Sequence, residues 1–472
     1  MSKGSTGFVV PLAAAACAAA ALAFWLTRES AVRPALRVPG TDRAPAADGP
    51  GKGPPIRGTL AKEEGVPATN FPGAWPGFRG PARTGVSVED VPLATAWPAD
   101  GPPVLWRIGL GEGHGGAAVL NGRAYLLDYD ATNRADVVRC LSLADGRDIW
   151  RYSYPVRVKR NHGMSRTVPA VTAKYAVTLG PKCHVFCLNP ENGEFRWSID
   201  LVRDYGTMVP QWYAGQCPLI DGDRAILAPA GSALVIAVDC ETGRVLWETP
   251  NPRAWAMTHA SLTPVEFRGR RMYVYCGSGG VAGVSAEDGA LLWDTTAWKI
   301  SIATVPSPVS LGEGRIFLSG GYEAGSMMLQ LTEKDGKITA EPSWKLPARD
   351  FGATQQTPIL FNGYLYGVRP DGQMTCLAPE GRIVWTSGPT HRFGIGPFLI
   401  ARGLIYAIDD AGVLTLAAAS PDGYRQHAQA KVLPGRDSWG PLAIAGGRLI
   451  ARDLTTMVCL DVSASAGGGK GK

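Results

Sequence analysis

The sequence predicts an all-β fold, an eight-bladed β-propeller of four-stranded antiparallel blades closed by an N-terminal strand. Three observations predict it. The 472 residues are 45% hydrophobic and only 19% charged, with 59 glycines, 37 prolines and 14 tryptophans, enough apolar material for a large core broken into many short strands. A glycine turn is followed four residues later by Trp at Asp145-Gly146 to Trp150, Asn192-Gly193 to Trp197, Thr242-Gly243 to Trp247, Asp288-Gly289 to Trp293 and Glu380-Gly381 to Trp385. Asp-Gly and Asn-Gly favour the tight turn whose twist matches antiparallel strands, so each unit ends in a hairpin carrying a Trp on its last strand. Upstream of the hairpin an apolar strand, a glycine turn and an alternating strand recur, as in Ala118-Val119-Leu120-Asn121-Gly122-Arg123-Ala124-Tyr125-Leu126, and again from Pro218, Pro308, Pro358, Pro397 and Pro441. Four short strands in roughly 40 to 50 residues is the size of a propeller blade, and helical repeats are excluded.

From the N-terminus, residues 8–26 form an uninterrupted apolar run between Lys3 and Arg28. A run of this length suits either a membrane anchor or a cleaved export signal, the latter helped by Ala21-Leu22-Ala23. Cys17 follows small residues as a lipidated cysteine would, but the apolar run continues past it. Both readings place the protein outside the cytoplasmic membrane. Residues 27–74, rich in Pro, Gly, Ala and Arg, read as a disordered tether, 75–462 as the propeller and 463–472 as a flexible tail. Within the propeller the eighth unit, beginning at Trp439, stops after three strands, while Pro103-Val104-Leu105-Trp106-Arg107-Ile108 carries a Trp with no hairpin before it. That strand should complete the last blade and leave no open edge. Two units deviate: the fifth stretches its turn from Asp335-Gly336 to Trp344, and the seventh puts His427 where Trp is expected.

The repeat Asp/Asn/Thr-Gly-x-x-x-Trp, with Cys-Leu or Val-Asp ending the strand before it, resembles the pyrroloquinoline-quinone (PQQ) repeat propeller family. The leader Trp75-Pro76-Gly77-Phe78-Arg79-Gly80-Pro81 and the segment His162-Gly163-Met164-Ser165-Arg166-Thr167-Val168-Pro169 resemble its bacterial PQQ-binding-like branch. The resemblance covers residues 75–462. It implies that Trp106, Trp150, Trp197, Trp247, Trp293, Trp344 and Trp385 are structural docks between blades. It does not choose a function, because the same propeller serves quinoprotein dehydrogenases and a non-enzymatic scaffold of the outer-membrane assembly machinery. A dehydrogenase would use PQQ with calcium, commonly with adjacent cysteines or a Cys-x-x-Cys-His haem motif, and the sequence has neither. Nor does it carry a Gly-x-Ser-x-Gly elbow, a phosphate loop or a His-Glu-x-x-His helix. Two functions follow: an envelope scaffold, monomeric and binding a partner protein or a small polar ligand, or a PQQ-dependent alcohol or sugar dehydrogenase.

Nine cysteines in an exported chain raise the question of disulfides. Cys140, Cys187, Cys376 and Cys459 all precede Leu at one repeat position, which makes them equivalent core residues of different blades rather than partners. Cys183 and Cys187 bracket His184 without a second ligand pair in zinc spacing, so no metal site is expected. The net charge of +6 is spread along the chain, and Arg157, Lys159 and Arg160 are too short a run to track a phosphate backbone, which excludes nucleic acid as a partner.

The register locates a site. The first strand of each blade lines the channel, so the residues just before it gather at one mouth. They include His114, His162 with Arg166, Trp212 with Tyr213 and Gln216, His259, Gln355 with Gln356, His391 with Arg392, and Trp439 with Ser438; four of the six histidines fall here. A polar, aromatic, partly basic funnel of this kind suits an anionic or polar ligand or a peptide segment. The plainer reading is that these side chains satisfy loop backbone and water.

Overall fold

The computed structural model describes residues 6–27 and 55–465, in two units, Met1–Ala46 and Ala47–Lys472. In the first, the apolar run forms helix α1 (Thr6–Thr27). Only side chains 15–24 and 27 of α1 are described, and among the described residues no helix is long and apolar enough to cross a membrane. The tail from residue 466 and the tether from 28 to 54 lie outside the described residues.

The second unit is the predicted propeller. Three strands precede the repeats: β1 (Thr59–Lys62), β2 (Val86–Ser87) and β3 (Val104–Gly109). Blade 1 follows as β4 (Ala118–Leu120), β5 (Arg123–Asp130), β6 (Ala135–Ser142) and β7 (Asp148–Pro155), antiparallel from the channel outward. Blades 2 to 7 repeat this order within residues 170–200, 219–250, 263–295, 309–346, 359–386 and 398–431. Blade 8 has three strands between 443 and 461, and β3 supplies the fourth, with Trp106 opposite Cys459. The ring therefore closes as the sequence predicts. Arg452 reinforces the seam: its side chain is 1% exposed and donates to the carbonyls of Gly115 at 3.0 Å and of Gly111 and Asp453 at 3.2 Å, joining blade 8 to the approach of blade 1.

The repeat tryptophans share one register. Trp150 faces Cys140, Trp197 faces Cys187, Trp247 faces Ala237, Trp293 faces Gly283, Trp344 faces Met328 and Trp385 faces Cys376, each beside a bulge. The indole then reaches the hairpin turn of the next blade, Trp106 Nε1 donating to Leu143 O, Trp150 to Pro190 O, Trp197 to Cys240 O, Trp344 to Pro379 O and Trp385 to Ser420 O, at 2.8–3.2 Å. The turn glycine makes room: Gly193, at φ 77°, would put a Cβ 2.7 Å from the Trp150 ring. Trp293 instead points its N–H at Met272 Sδ in its own blade, and the Trp247 N–H is buried without a partner among the described residues. The stretched fifth hairpin is two ten-residue strands, Gly325–Lys334 and Lys337–Leu346, and keeps the Trp344 register.

Blade 7 requires a correction. Ala428, opposite Leu416, holds the Trp position, and His427 is the exposed bulge residue. The turn there closes from Ala418 N–H to Arg425 O, longer than the Ser142-to-Arg147 turn of blade 1, so counting four residues on from the turn glycine stops one short. The tether also needs revision, since residues 55–74 are built into the propeller. β1 pairs antiparallel with β7, Leu60 opposite Tyr152, and makes blade 1 five-stranded. Ser198 Oγ donates to Ile56 O at 2.8 Å, holding the same segment on blade 2.

The leader crosses the channel. Trp75 exchanges backbone hydrogen bonds with Val119 of blade 1, Pro76 O accepts Val171 N–H of blade 2, and Arg83 donates to Pro218 O ahead of blade 3. Arg79 donates to Thr357 O and Pro358 O ahead of blade 6, and β2 runs parallel to the first strand of blade 7, Val86 beside Ile400. All cysteines are free, and every one but Cys17 is buried, Cys140, Cys187, Cys376 and Cys459 each in its own blade.

Candidate functional site

At the mouth the approaches to the blades converge on a cavity of about 340 Å³. His114, His162, Arg166, Trp212, His259, Gln355 and Trp439 line it, together with Gln356. The other candidates turn away. Gln216 faces its own blade, accepting Ala228 N–H at 2.9 Å and donating to Ala228 O at 3.3 Å. Tyr213 is buried, its hydroxyl donating to Lys159 O and its ring under Lys182 Nζ at 5.2 Å. His391 and Arg392 sit on a turn closed by His391 N–H to Gly388 O, the imidazole 5.1 Å from the Tyr424 ring and the guanidinium donating to Pro389 O.

The leader forms part of the wall through Trp75, Phe78, Arg79 and Gly85, and Tyr322 joins from the loop between the second and third strands of blade 5. Residues 75–81 stand out in sequence as a motif, but nothing periodic ties them to the channel. Arg79 is fully occupied by carbonyls, with Nε to Arg83 O, Nη1 to Thr357 O, and Nη2 to Thr84 O and Pro358 O, all at 2.7–3.1 Å. Burial, then the neighbouring Arg83, lowers its pKa to about 9, which leaves it charged at neutral pH.

Two histidines in the wall are neutral. His114 Nε2 donates to His162 O at 3.0 Å and its ring lies 5.1 Å from that of Trp439, leaving Nδ1 buried as an acceptor without a partner among the described residues. Burial, then the charges of Arg166 and Arg452, lowers its pKa to about 3. His259, its ring 6.3 Å from Trp212, is lowered to about 4 by burial and by Arg166. Arg166 spans the approaches of blades 2 and 3, donating from Nη2 to Asn161 O and His162 O at 2.8 Å and from Nε to Trp212 O. Burial takes its pKa to about 10, and Nη1 has no hydrogen-bond partner among the described residues. The wall contains no Asp, Glu or Asn.

That donor set does not fit PQQ with calcium. A calcium ion needs carboxylate and carbonyl-type oxygen ligands, and the lining offers no carboxylate, a single cysteine, Cys217, and two cations. Among the described residues no group of three or more His, Cys, Asp or Glu is placed to hold a metal. Near Cys183, His184 Nε2 stands 3.9 Å from Asp200, and Cys183 Sγ contacts Met257 Sδ at 3.8 Å.

Eight blades around a plugged channel, seven of them carrying the repeat Trp, with a non-acidic cavity at one mouth, define a PQQ-like repeat propeller. The chain belongs to the family described as outer membrane protein assembly factor BamB, whose profile matches residues 134–387, more than half of its length. It is 25% identical over 243 residues to the protein of that name from Alteromonas naphthalenivorans and 22% identical over 235 residues to the one from Yersinia pestis. The matches cover 48% and 46% of this chain, and the chain spans 56% of each of these curated relatives. The crystal structure of BamB from Moraxella catarrhalis superposes with a TM-score of 0.53 at 14% identity, over 76% of this chain and 99% of that one, a likeness of fold.

Proposed function

We propose that the protein is a non-catalytic scaffold of the cell envelope, exported by way of residues 8–26 and engaging another envelope protein through the mouth face of its propeller. The observation that carries this reading is the chemistry of the cavity wall. Burial and the charge of Arg166 push His114 and His259 down to about 3 and 4, which makes both weak bases at neutral pH, and no carboxylate lines the wall. Aromatic and cationic side chains at a concave mouth are instead the residue types enriched in protein interfaces. The assembly-factor relatives support the envelope setting. A photoreactive benzoylphenylalanine placed in living cells at Tyr322, on the mouth, should give discrete cross-links to an envelope protein, and none when placed at Glu380, in a hairpin turn at the opposite end of its blade. Stoichiometric PQQ uptake with calcium and turnover of an alcohol or sugar would overturn the scaffold reading.

A further inference from the structure

The mouth combines two unlike chemistries. Toward blades 3 to 5 runs an apolar arc. Trp212 stands beside His259, whose backbone N–H donates to Thr304 O at 3.0 Å, and Ala303 and Tyr322 line the same cavity. At the lip of this arc Ile302 is 56% and Tyr322 37% exposed, among the most exposed large apolar residues of the propeller. Beside the arc, bonded through Nε to Trp212 O, is the part-buried Arg166, whose Nη1 has no hydrogen-bond partner among the described residues. The nearby carboxylates are already engaged, Glu112 by Arg160 at 2.5 Å and Asp410 by Trp439 Nε1 at 2.9 Å and Ile395 N–H at 3.1 Å.

Neither chemistry explains the other. A small anion would pair with Arg166 and leave the arc wet, while a purely apolar occupant would strip water from a part-buried guanidinium and return nothing to it. An occupant that serves both presents an apolar group and a carboxylate side by side, and a cavity of about 340 Å³ is at the small end for a whole ligand but ample for one large side chain. We propose that the mouth captures an extended segment of a partner protein, seating one aromatic or large aliphatic side chain in the cavity against Trp212 and Tyr322 while an adjacent Asp or Glu of that segment pairs with Arg166. The proposal rests on the scaffold reading in taking the occupant to be protein; charge complementarity makes that occupant acidic.

Selection of a random linear-peptide display library on the full-length protein tests it. Enriched peptides should pair an aromatic or Leu residue with a neighbouring Asp or Glu. A synthetic representative should lose tenfold or more in affinity for Arg166→Gln and for Ile302→Asp, and bind Glu380→Ala unchanged. Because Ile302 is exposed, its variant separates loss of the surface from loss of the fold, and equal melting temperatures check this. Enrichment without the acidic neighbour, affinity indifferent to both substitutions, or no enrichment over the Arg166→Gln, Ile302→Asp double variant would overturn the proposal. If the Tyr322 cross-link survives such a failure, the scaffold reading stands and only the mode of capture falls.

Discussion

Replacing Asp136 by Asn should stabilise the protein at alkaline pH and leave it nearly unchanged in acid. Asp136 lies on β6 with no exposed surface; Oδ2 accepts the Tyr154 hydroxyl at 2.6 Å and Oδ1 the Ser165 hydroxyl at 3.2 Å. No cation compensates it. The nearest charged group is the like-charged Asp128, and Arg139 is committed to Asp128 and Asp148. Burial outweighs the two hydroxyl donors and raises the carboxyl pKa from 3.8 to about 7. Below pH 3.8 the group is protonated in folded and unfolded chains alike and its contribution is fully present. Between 3.8 and 7 the unfolded chain has released a proton that the folded chain keeps, so stability falls as pH rises and levels off above 7. At 1.36 kcal/mol per pKa unit the loss is about 4 kcal/mol. An Asn keeps the acceptor oxygen and never ionises. Urea unfolding of both proteins from pH 4.5 to 8.5 should therefore show the variant gaining about 2 to 4 kcal/mol relative to the parent across that span. Parallel profiles would refute a buried, uncompensated carboxyl.

Arg452→Met should cost about 3 to 5 kcal/mol in the same assay, because several buried carbonyls at the ring seam lose their donor at about 1 to 3 kcal/mol each; a loss below about 1 kcal/mol would mean that water replaces the guanidinium. Trp150→Ala and Trp197→Ala should each cost about 3 to 5 kcal/mol, whereas His427→Ala, at an exposed bulge, should stay within about 0.5 kcal/mol. Deleting residues 103–109 should expose the last strand of blade 8 and yield aggregated protein, and a deletion variant that remains monomeric with the parental melting temperature would contradict closure by β3.

Blade count, strand order and the closing strand were legible because five of the blades repeat one local chemistry, a turn glycine set four residues before the blade's Trp. That local count also explains the error at His427, since a longer turn in blade 7 moves the register by one and no residue in the sequence marks the shift. About a third of the wall of the cavity could be read for a related reason. His114, Arg166, Trp212 and His259 each precede a first strand closely, so position along the chain translates directly into position around the mouth. His391 and Arg392 fail that translation because their approach folds into a turn of its own, closed by His391 N–H to Gly388 O, before reaching the blade. Gln216 fails because the nearest unpaired backbone groups, those of Ala228, belong to its own sheet. The leader and β1 were invisible as structure: Trp75 on Val119 and Arg79 on Thr357 are long-range contacts made once, with no period to betray them.

Closure by β3 also sets a timetable. Trp106 and Cys459 lie far apart in the sequence, yet the two must pair before blade 8 is complete. Until then blade 8 lacks its outer strand, β3 has no sheet to join, and neither can be sealed by its neighbours in sequence. Pairing across nearly the whole chain makes folding slow relative to local hairpin formation.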